Sequence, residues 1–205
     1  HDGLGSVRLY AYHLASDSSQ PVSTDIRNPS FIVSIGTKIY FKAQDISDSQ
    51  YYFFEYDASN SQLLTRSPDV NNSGSDGYTF PYAYNGKIYL RSQDTNNEWE
   101  LHEFDPYTNL TIKLNADVNT SGSSLPSYMV NLGSNIYFSA TDNNTSNFEI
   151  YKYNIDSGLA SRVYNAKVNP NGESVPSFLE VINNKIYFSA ETWITSKFSS
   201  NHSIE

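Results

Sequence analysis

Short apolar runs separated by polar turn residues extend along most of the chain, and one run recurs four times. The recurring run contains Ile-Tyr-Phe or Ile-Tyr-Leu and occupies residues 38–43, 87–92, 135–140 and 185–190. Its isoleucines, Ile39, Ile88, Ile136 and Ile186, follow one another at intervals of 49, 48 and 50 residues. A fixed period of this length predicts a supersecondary unit of about 49 residues that is repeated along the chain.

Each repeat divides into four predicted strands, of which the recurring run is the second. The first strand is an apolar stretch that follows a proline, and the prolines are Pro29, Pro81, Pro126 and Pro176. A tight turn joins it to the second strand and carries residues that tolerate positive φ, namely Gly36, Asn85 with Gly86, Gly133, and Asn183 with Asn184. The second strand is apolar at consecutive positions, which predicts that both of its faces are covered by neighbouring sheets.

The third strand ends on an Asp or Asn that favours a turn, and a short fourth strand follows it. The predicted third strands are 53–57, 101–105 and 150–154, and the predicted fourth strands are 63–64, 110–114 and 160–163. No segment keeps the 3.6-residue period over the ten or more residues that a helix needs. Tyr and Phe are abundant, at 17 and 11 residues, and the sequence therefore predicts an all-β fold.

The two ends of the chain each supply half a repeat. Leu9 aligns with Phe53, so the N-terminal segment corresponds to a third and a fourth strand, whereas 178–190 correspond to a first and a second. We expect the two halves to pair in one sheet, which closes a ring of four blades over residues 1–192 and leaves no long edge exposed. The alternative is that the sequence is a piece of a longer array of repeats. Residues 193–205 fit no repeat position and are expected to form a tail.

Composition limits the classes of partner. The chain has no cysteine, which excludes disulfides and thiol chemistry. Its 22 acidic and 13 basic residues give a net charge of −9, and this balance argues against nucleic acid as a partner. No apolar run is long enough to span a bilayer as a helix. The sequence leaves the oligomeric state open.

The repeats resemble those of the ELWxxDGT-type (hyalin-like) family of bacterial extracellular proteins. The resemblance is carried by Ala-Asp-Val-Asn-Thr-Ser-Gly-Ser-Ser-Leu-Pro-Ser at 116–127, by the run at 135–142, and by Asp-Gly-Leu-Gly-Ser-Val-Arg-Leu-Tyr at 2–10. It implies a β-propeller, a location outside the cell or at its surface, and no catalytic residues. The signature Trp of that family is replaced by Tyr10, Phe54, His102 and Tyr151.

Acidic residues recur in the loops that such a propeller would place on one face. The loops after the second strands carry Asp2, Asp45, Asp94 and Asp142, and those after the fourth strands carry Asp25, Asp69, Asp76, Asp117 and Glu173. Many carboxylates around one opening focus a negative potential. We therefore expect a partner-binding face formed by Asp2, Asp45, Asp94, Asp142 and Trp99, with a protein or a glycan as the partner.

Two of the loops share an Asp-x-Asn-x-Ser-Gly pattern that resembles the first half of a calcium loop. The candidate ligands are Asp69, Asn71 and Ser73 in one loop, and Asp117, Asn119 and Ser121 in the other. Neither loop has the downstream bidentate Glu of a complete Ca²⁺ site. The alternative is that Asp and Asn accept hydrogen bonds from the backbone of their own turn.

No motif predicts catalysis. The chain has no Gly-x-Ser-x-Gly sequence, and His1, His13, His102 and His202 lack the spacing of a zinc site. The expected function is that of a non-catalytic binding or assembly module at the cell surface. The alternative is a lectin that binds carbohydrate in aromatic pockets repeated by the blades, with Trp99 and Trp193 as candidate platforms.

Overall fold

The fold is known from a computed structural model that describes residues 6–66, 78–116, 118–142, 147–166, 168–169 and 174–192. These residues form β-strands connected by turns, together with one 3₁₀ helix at Tyr164–Ala166. The described part of the chain contains no helix with the length and apolar character needed to cross a membrane. The all-β prediction is confirmed.

The strands form two hairpins and three four-stranded antiparallel sheets. The N-terminal hairpin consists of β1 (Tyr10–His13) and β2 (Ser18–Pro21). The first sheet consists of β3 (Ile26–Ile35), β4 (Lys38–Asp45), β5 (Tyr51–Asp57) and β6 (Gln62–Arg66). The second sheet consists of β7 (Thr79–Tyr84), β8 (Lys87–Gln93), β9 (Trp99–Asp105) and β10 (Leu110–Lys113). The third sheet consists of β11 (Ser127–Leu132), β12 (Asn135–Thr141), β13 (Phe148–Asn154) and β14 (Leu159–Arg162). The C-terminal hairpin consists of β15 (Ser177–Ile182) and β16 (Lys185–Ser189).

Local turn chemistry explains why each repeat folds into this order of strands. The turn between β7 and β8 places both Asn85 and Gly86 at positive φ, at 50° and 74°. Two such residues in succession are what a two-residue hairpin turn requires, because its twist then matches that of the flanking strands. Asn183 and Asn184 do the same between β15 and β16, with φ of 50° and 60°. The predicted hairpins are therefore confirmed.

The hydrophobic core lies in layers between successive sheets. Adjacent residues of the recurring run point into different layers: Phe41 packs with Ile26 and Phe54, whereas Tyr40 packs with Ile88 of the next sheet. In the same way Tyr89 joins a layer with Ile136 of the third sheet. Side chains alternate between the two faces of a strand, so a strand between two layers must be apolar at consecutive positions. The prediction that the second strands are covered on both faces is confirmed for the first and second sheets.

The first strands of the sheets lie side by side in chain order, and we call β3, β7, β11 and β15 the inner strands. Neighbouring inner strands pack against each other, but β3 does not pack in this way against β15. The two hairpins form separate two-stranded sheets, so the single closing sheet predicted from the sequence is not present among these strands. The fold is a β-propeller-like array of sheets, and its closure into a four-bladed ring is not confirmed.

Candidate ligand-binding site on the inner strands

Every inner strand is interrupted by a β-bulge, and an aromatic residue lies within each bulge. The pairing register with the second strand shifts between Ser30 and Val33, Thr79 and Tyr82, Ser127 and Val130, and Ser177 and Glu180. The aromatic residues at these bulges are Phe31, Phe80, Tyr128 and Phe178. We call these four residues the aromatic arc. Bulges of this kind re-aim side chains and often lie next to functional sites.

The backbone of the aromatic arc is strained. Phe31, Phe80, Tyr128 and Phe178 have φ values of 56°, 52°, 52° and 54°. The left-handed region costs a residue with a Cβ about 1–2 kcal/mol, because Cβ approaches the following carbonyl oxygen. Such strain persists only where the surrounding structure imposes it, and it clusters at binding sites. Its recurrence in all four inner strands makes the aromatic arc the leading candidate for a functional surface.

The four rings form a continuous apolar strip. Ring centroids are 6.1 Å apart for Phe31 and Phe80, 5.4 Å for Phe80 and Tyr128, and 5.2 Å for Tyr128 and Phe178. The planes are tilted or edge-to-face, which is the geometry that aromatic pairs prefer. Phe178 is 74 % exposed and Phe31 is 39 % exposed, so the strip lies at the surface and not in the core.

A pocket of about 300 Å³ opens beside the middle of the aromatic arc. Phe80, Tyr128, Phe148, Pro176 and Arg91 are among the residues that line it. Arg91 Nε donates a hydrogen bond to Thr79 Oγ1 at 2.9 Å. Arg91 Cζ is 4.7 Å from the ring centroid of Phe80 and 5.5 Å from that of Trp99. Burial lowers the pKa of Arg91, because a guanidinium ion loses hydration there.

The predicted acidic residues lie at one end of the sheets, where their carboxylates contact residues of their own loop or of a fourth strand. Asp45 Oδ1 accepts hydrogen bonds from Ser47 N at 2.7 Å and from Ser47 Oγ at 2.6 Å. The carboxylate of Asp142 is 3.5 Å from Arg162. Asp2 lies outside the described residues. These contacts hold the two carboxylates in place and reduce the negative potential that they present to a partner.

Asp94 is the clearest case of a carboxylate with a structural role. It is 4 % exposed, accepts from the backbone N–H groups of Asn96 and Glu98, and pairs with Lys113 at 2.7 Å. Burial alone would raise the pKa of Asp94, but the bonds from Lys113 and the backbone outweigh it and lower the pKa. The ring of Trp99, the last predicted residue of the face, is half-buried beside Arg91.

The predicted calcium ligands fall partly outside the described residues. Asp69, Asn71, Ser73 and Asp117 are not described, whereas Asn119 is buried and Ser121 is exposed. Asn119 Oδ1 accepts from Ser121 N at 3.3 Å, and Asn119 Nδ2 donates to Ser123 O at 2.9 Å. Such hydrogen bonds agree with the turn alternative. Within the described ranges no three His, Cys, Asp or Glu side chains are grouped to hold a metal ion. The calcium site stays a prediction.

The prolines before the predicted first strands do not mark the position of the aromatic arc. Pro29, Pro126 and Pro176 lie two residues before an aromatic residue, but Pro81 lies one residue after Phe80, inside β7. Pro29 lies inside β3 and Pro81 inside β7, so the placement of these two prolines before the first strand was wrong. The informative signal is the spacing to the recurring run, because every aromatic residue of the arc lies eight residues before Ile39, Ile88, Ile136 or Ile186.

Comparison with known proteins supports the fold. No family model matches the chain, and no curated protein matches it. Among solved structures, TolB from Acinetobacter baumannii superposes with a TM-score of 0.52 at 14 % identity, covering 89 % of this chain and 45 % of TolB. Puromycin hydrolase superposes with a TM-score of 0.51 at 9 % identity, covering 84 % of this chain and 27 % of the hydrolase. The chain thus spans less than half the length of either protein. At these identities the likeness shows a β-propeller-like fold alone.

Proposed function

We propose that this chain is a non-catalytic binding module at the cell surface and that it holds its partner on the aromatic arc. The observation that carries the proposal is the strained aromatic residue at the same bulge of every inner strand. An aromatic side chain buries a large area and loses little conformational entropy, so it is a common anchor in interfaces. The location rests on the resemblance of the repeats to bacterial extracellular proteins.

The acidic loops supply the rim of the proposed surface. Phe80, Tyr128 and Phe178 are each the second residue of their inner strand, near the end that the fourth-to-first loops enter. The loops after the second strands reach the same end, because Thr141 N donates to Ser124 O and Ile46 N donates to Asp25 O. An apolar centre with a polar rim is the usual anatomy of a protein interface.

A protein partner is favoured over a glycan because the surroundings of the four rings differ. A lectin built on repeated pockets needs similar residues at each blade. The second-strand residue at the position of Arg91 is instead Lys42, Ser139 or Ser189 in the other repeats. Carbohydrate binding remains the second candidate because exposed rings such as Phe178 stack on sugars.

A closed four-bladed ring is a further part of the proposal. The second and third strands pair in one register in all three sheets, with Phe41 opposite Phe54, Leu90 opposite His102, and Phe138 opposite Tyr151. The same register would place Phe188 of β16 opposite Tyr10 of β1. Such pairing would complete a fourth sheet and remove two open edges.

The test compares peptide and glycan binding by matched variants. Phe31→Asn with Phe178→Asn removes two exposed rings, and Asn tolerates positive φ, so the backbone is kept. Peptides selected by display on the wild-type chain should bind this variant at least tenfold more weakly, with an unchanged melting temperature. Tyr107→Asn removes a ring that is 97 % exposed elsewhere and serves as the control. Selected peptides that bind both variants as tightly as the wild type would refute the proposal, and binders found only on a glycan array would favour the lectin.

A further inference from the structure

A positively charged side chain without an acidic partner lies beside the aromatic arc. Pairs between described residues place a carboxylate within 4.0 Å of Lys38, Arg66, Lys87, Lys113 and Arg162. Arg91 has none among the described residues, although the chain carries a net charge of −9. From this charge and the pocket beside it, we infer that Arg91 and the pocket bind a carboxylate that is carried on an apolar group.

The guanidinium of Arg91 is oriented before any ligand binds. Arg91 lies on β8 opposite Thr79 of β7, and its Nε donates to Thr79 Oγ1 at 2.9 Å. That bond uses one donor and leaves the two Nη amino groups with no protein acceptor in the described part of the chain. Two amino groups on a rigid plane match the two oxygens of a carboxylate. A ligand carboxylate would therefore replace lost hydration with charge-assisted hydrogen bonds.

The pocket provides the apolar half of the site. Phe80, Tyr128, Phe148, Val175 and Pro176 line it, and its volume of about 300 Å³ is at the small end of ligand pockets. An aromatic ring or one large side chain fits within such a volume. The ligand class is therefore a compact apolar group that carries a carboxylate, either as a free small acid or as the C-terminal residue of a partner chain.

The site belongs to one repeat and not to all of them. In the other repeats the position of Arg91 is occupied by Lys42, Ser139 and Ser189. Each of these residues pairs with the first-strand residue that comes just before the aromatic residue of the bulge. Lys42 is engaged elsewhere, with its Nζ 5.4 Å from the ring centroid of Tyr51 and 5.6 Å from that of Tyr78. The site rests on the proposed function, since it adds a specific ligand group to the aromatic arc.

The test uses benzoate and its neutral counterpart benzamide as probes. Trp99 lies beside Arg91 and reports on the pocket by fluorescence once the only other tryptophan, Trp193, is changed to Phe. Titration of the full chain, repeated by calorimetry, should show that benzoate binds about tenfold or more tightly than benzamide, as a charge-assisted hydrogen bond implies. Arg91→Gln should abolish this preference, and Arg91→Lys should retain only part of it.

Arg27→Gln is the matched control. Arg27 is also half-buried without a carboxylate partner in the described chain, but its Nε donates to Gln44 Oε1 at 2.8 Å, and it does not line the pocket. This variant should bind benzoate as the wild type does. Equal binding of benzoate and benzamide, or a preference for benzoate that survives in Arg91→Gln, would overturn the inference. If Arg91→Gln fails to fold, the result with Arg91→Lys decides, since it keeps the charge and loses the paired donors.

Two further measurements separate the sources of the carboxylate and the two proposals. An acetylated tripeptide ending in Phe should bind more tightly than benzoate if the ligand is a chain terminus, and its amidated form should then lose about tenfold. A free acid as the ligand predicts that the tripeptide binds more weakly than benzoate. Selected peptides that require Phe31 and Phe178, on a chain with no preference for benzoate, would overturn the Arg91 site and leave the proposed function standing.

Discussion

The same tripeptide pattern is buried in the second sheet and exposed in the C-terminal hairpin. Ile88, Tyr89 and Leu90 are at most 2 % exposed, whereas Tyr187, the counterpart of Tyr89, is 53 % exposed. Tyr10 of the N-terminal hairpin is also half exposed, although its counterparts Phe54 and His102 are buried. The local strand is the same in each case, and only the neighbouring sheet differs. The comparison shows that a repeated motif specifies a strand but does not specify its burial.

Truncating the two equivalent tyrosines measures this difference directly. Tyr89→Ala should lower the free energy of unfolding by about 3–5 kcal/mol, because it leaves a cavity between the second and third sheets. With the C-terminal hairpin exposed as in the structure, Tyr187→Ala should cost less than about 1 kcal/mol. The closed ring proposed above would instead cover Tyr187 and bring this loss close to that of Tyr89→Ala. Urea unfolding of both variants provides the measurement. Equal losses would mean that a further strand covers the C-terminal hairpin in solution, as closure of the ring requires.

A second comparison concerns two glutamates at the same position of the third strand. Glu55 is 1 % exposed and pairs with Lys38 at 2.5 Å and with Arg66 at 2.6 Å. Burial acts to raise the pKa of Glu55, but the hydrogen bonds from the two cations outweigh it and lower the pKa. Glu55→Gln leaves two cations without their carboxylate and should cost about 3 kcal/mol in unfolding free energy.

The matched control for this charge is Glu103→Gln in the second sheet. The side chain of Glu103 is 19 % exposed and lies 3.5 Å from Lys87, which keeps Asp105 as a partner at 2.6 Å. This variant should cost less than about 1 kcal/mol in the same unfolding experiment. Similar losses at the two positions would show that burial does not set the contribution of this glutamate.

The smallest effect is a pH dependence that His102 confers on the second sheet. His102 is fully buried, and burial lowers its pKa to about 4. The unfolded chain binds a proton below its ordinary pKa of about 6.5 and the folded chain does not, so stability falls as pH falls from 6.5 towards 4. Between pH 7.5 and pH 5 the loss should be about 2 kcal/mol.

Residues from the equivalent positions provide the variants for this test. His102→Phe, which copies Phe54, should abolish this component of the pH dependence in thermal or urea unfolding. Tyr10→His places a histidine at the counterpart that is 50 % exposed in the structure. Folding barely changes the hydration of that position, so this variant should keep the wild-type pH dependence, whereas a closed ring would bury the new histidine and steepen it. A wild-type profile that is flat between pH 7.5 and pH 5 would contradict the buried neutral state of His102.

The candidate site shows where sequence analysis was limited. Each aromatic residue of the arc lies eight residues before the isoleucine of the recurring run, and this spacing is present in the sequence. Alignment on the prolines hides it, because Pro81 follows Phe80 whereas the other prolines come before their aromatic residue. The positive φ of Phe80 and Tyr128 had no local signal, since neither residue favours that conformation. The pairing between β7 and β8 brings Arg91 to Thr79, and the packing of neighbouring inner strands then encloses the pocket. The acidic residues were found, but the hydrogen bonds and ion pairs that occupy their carboxylates depend on the conformation of each loop and on the neighbouring strands.

The sequence by itself determined the repeat, the order of four strands within it and the hairpin turns. These features depend on interactions between residues close in the chain, such as the positive φ that Asn85 and Gly86 supply at little cost. Only the tertiary structure decided which copies of the motif are buried, how the aromatic rings join into a strip, and which cation lacks a carboxylate. Those properties depend on contacts between neighbouring sheets, whose residues lie about 50 positions apart in the chain. One such contact is the hydrogen bond that Tyr82 Oη donates to Asn131 Oδ1 at 2.6 Å.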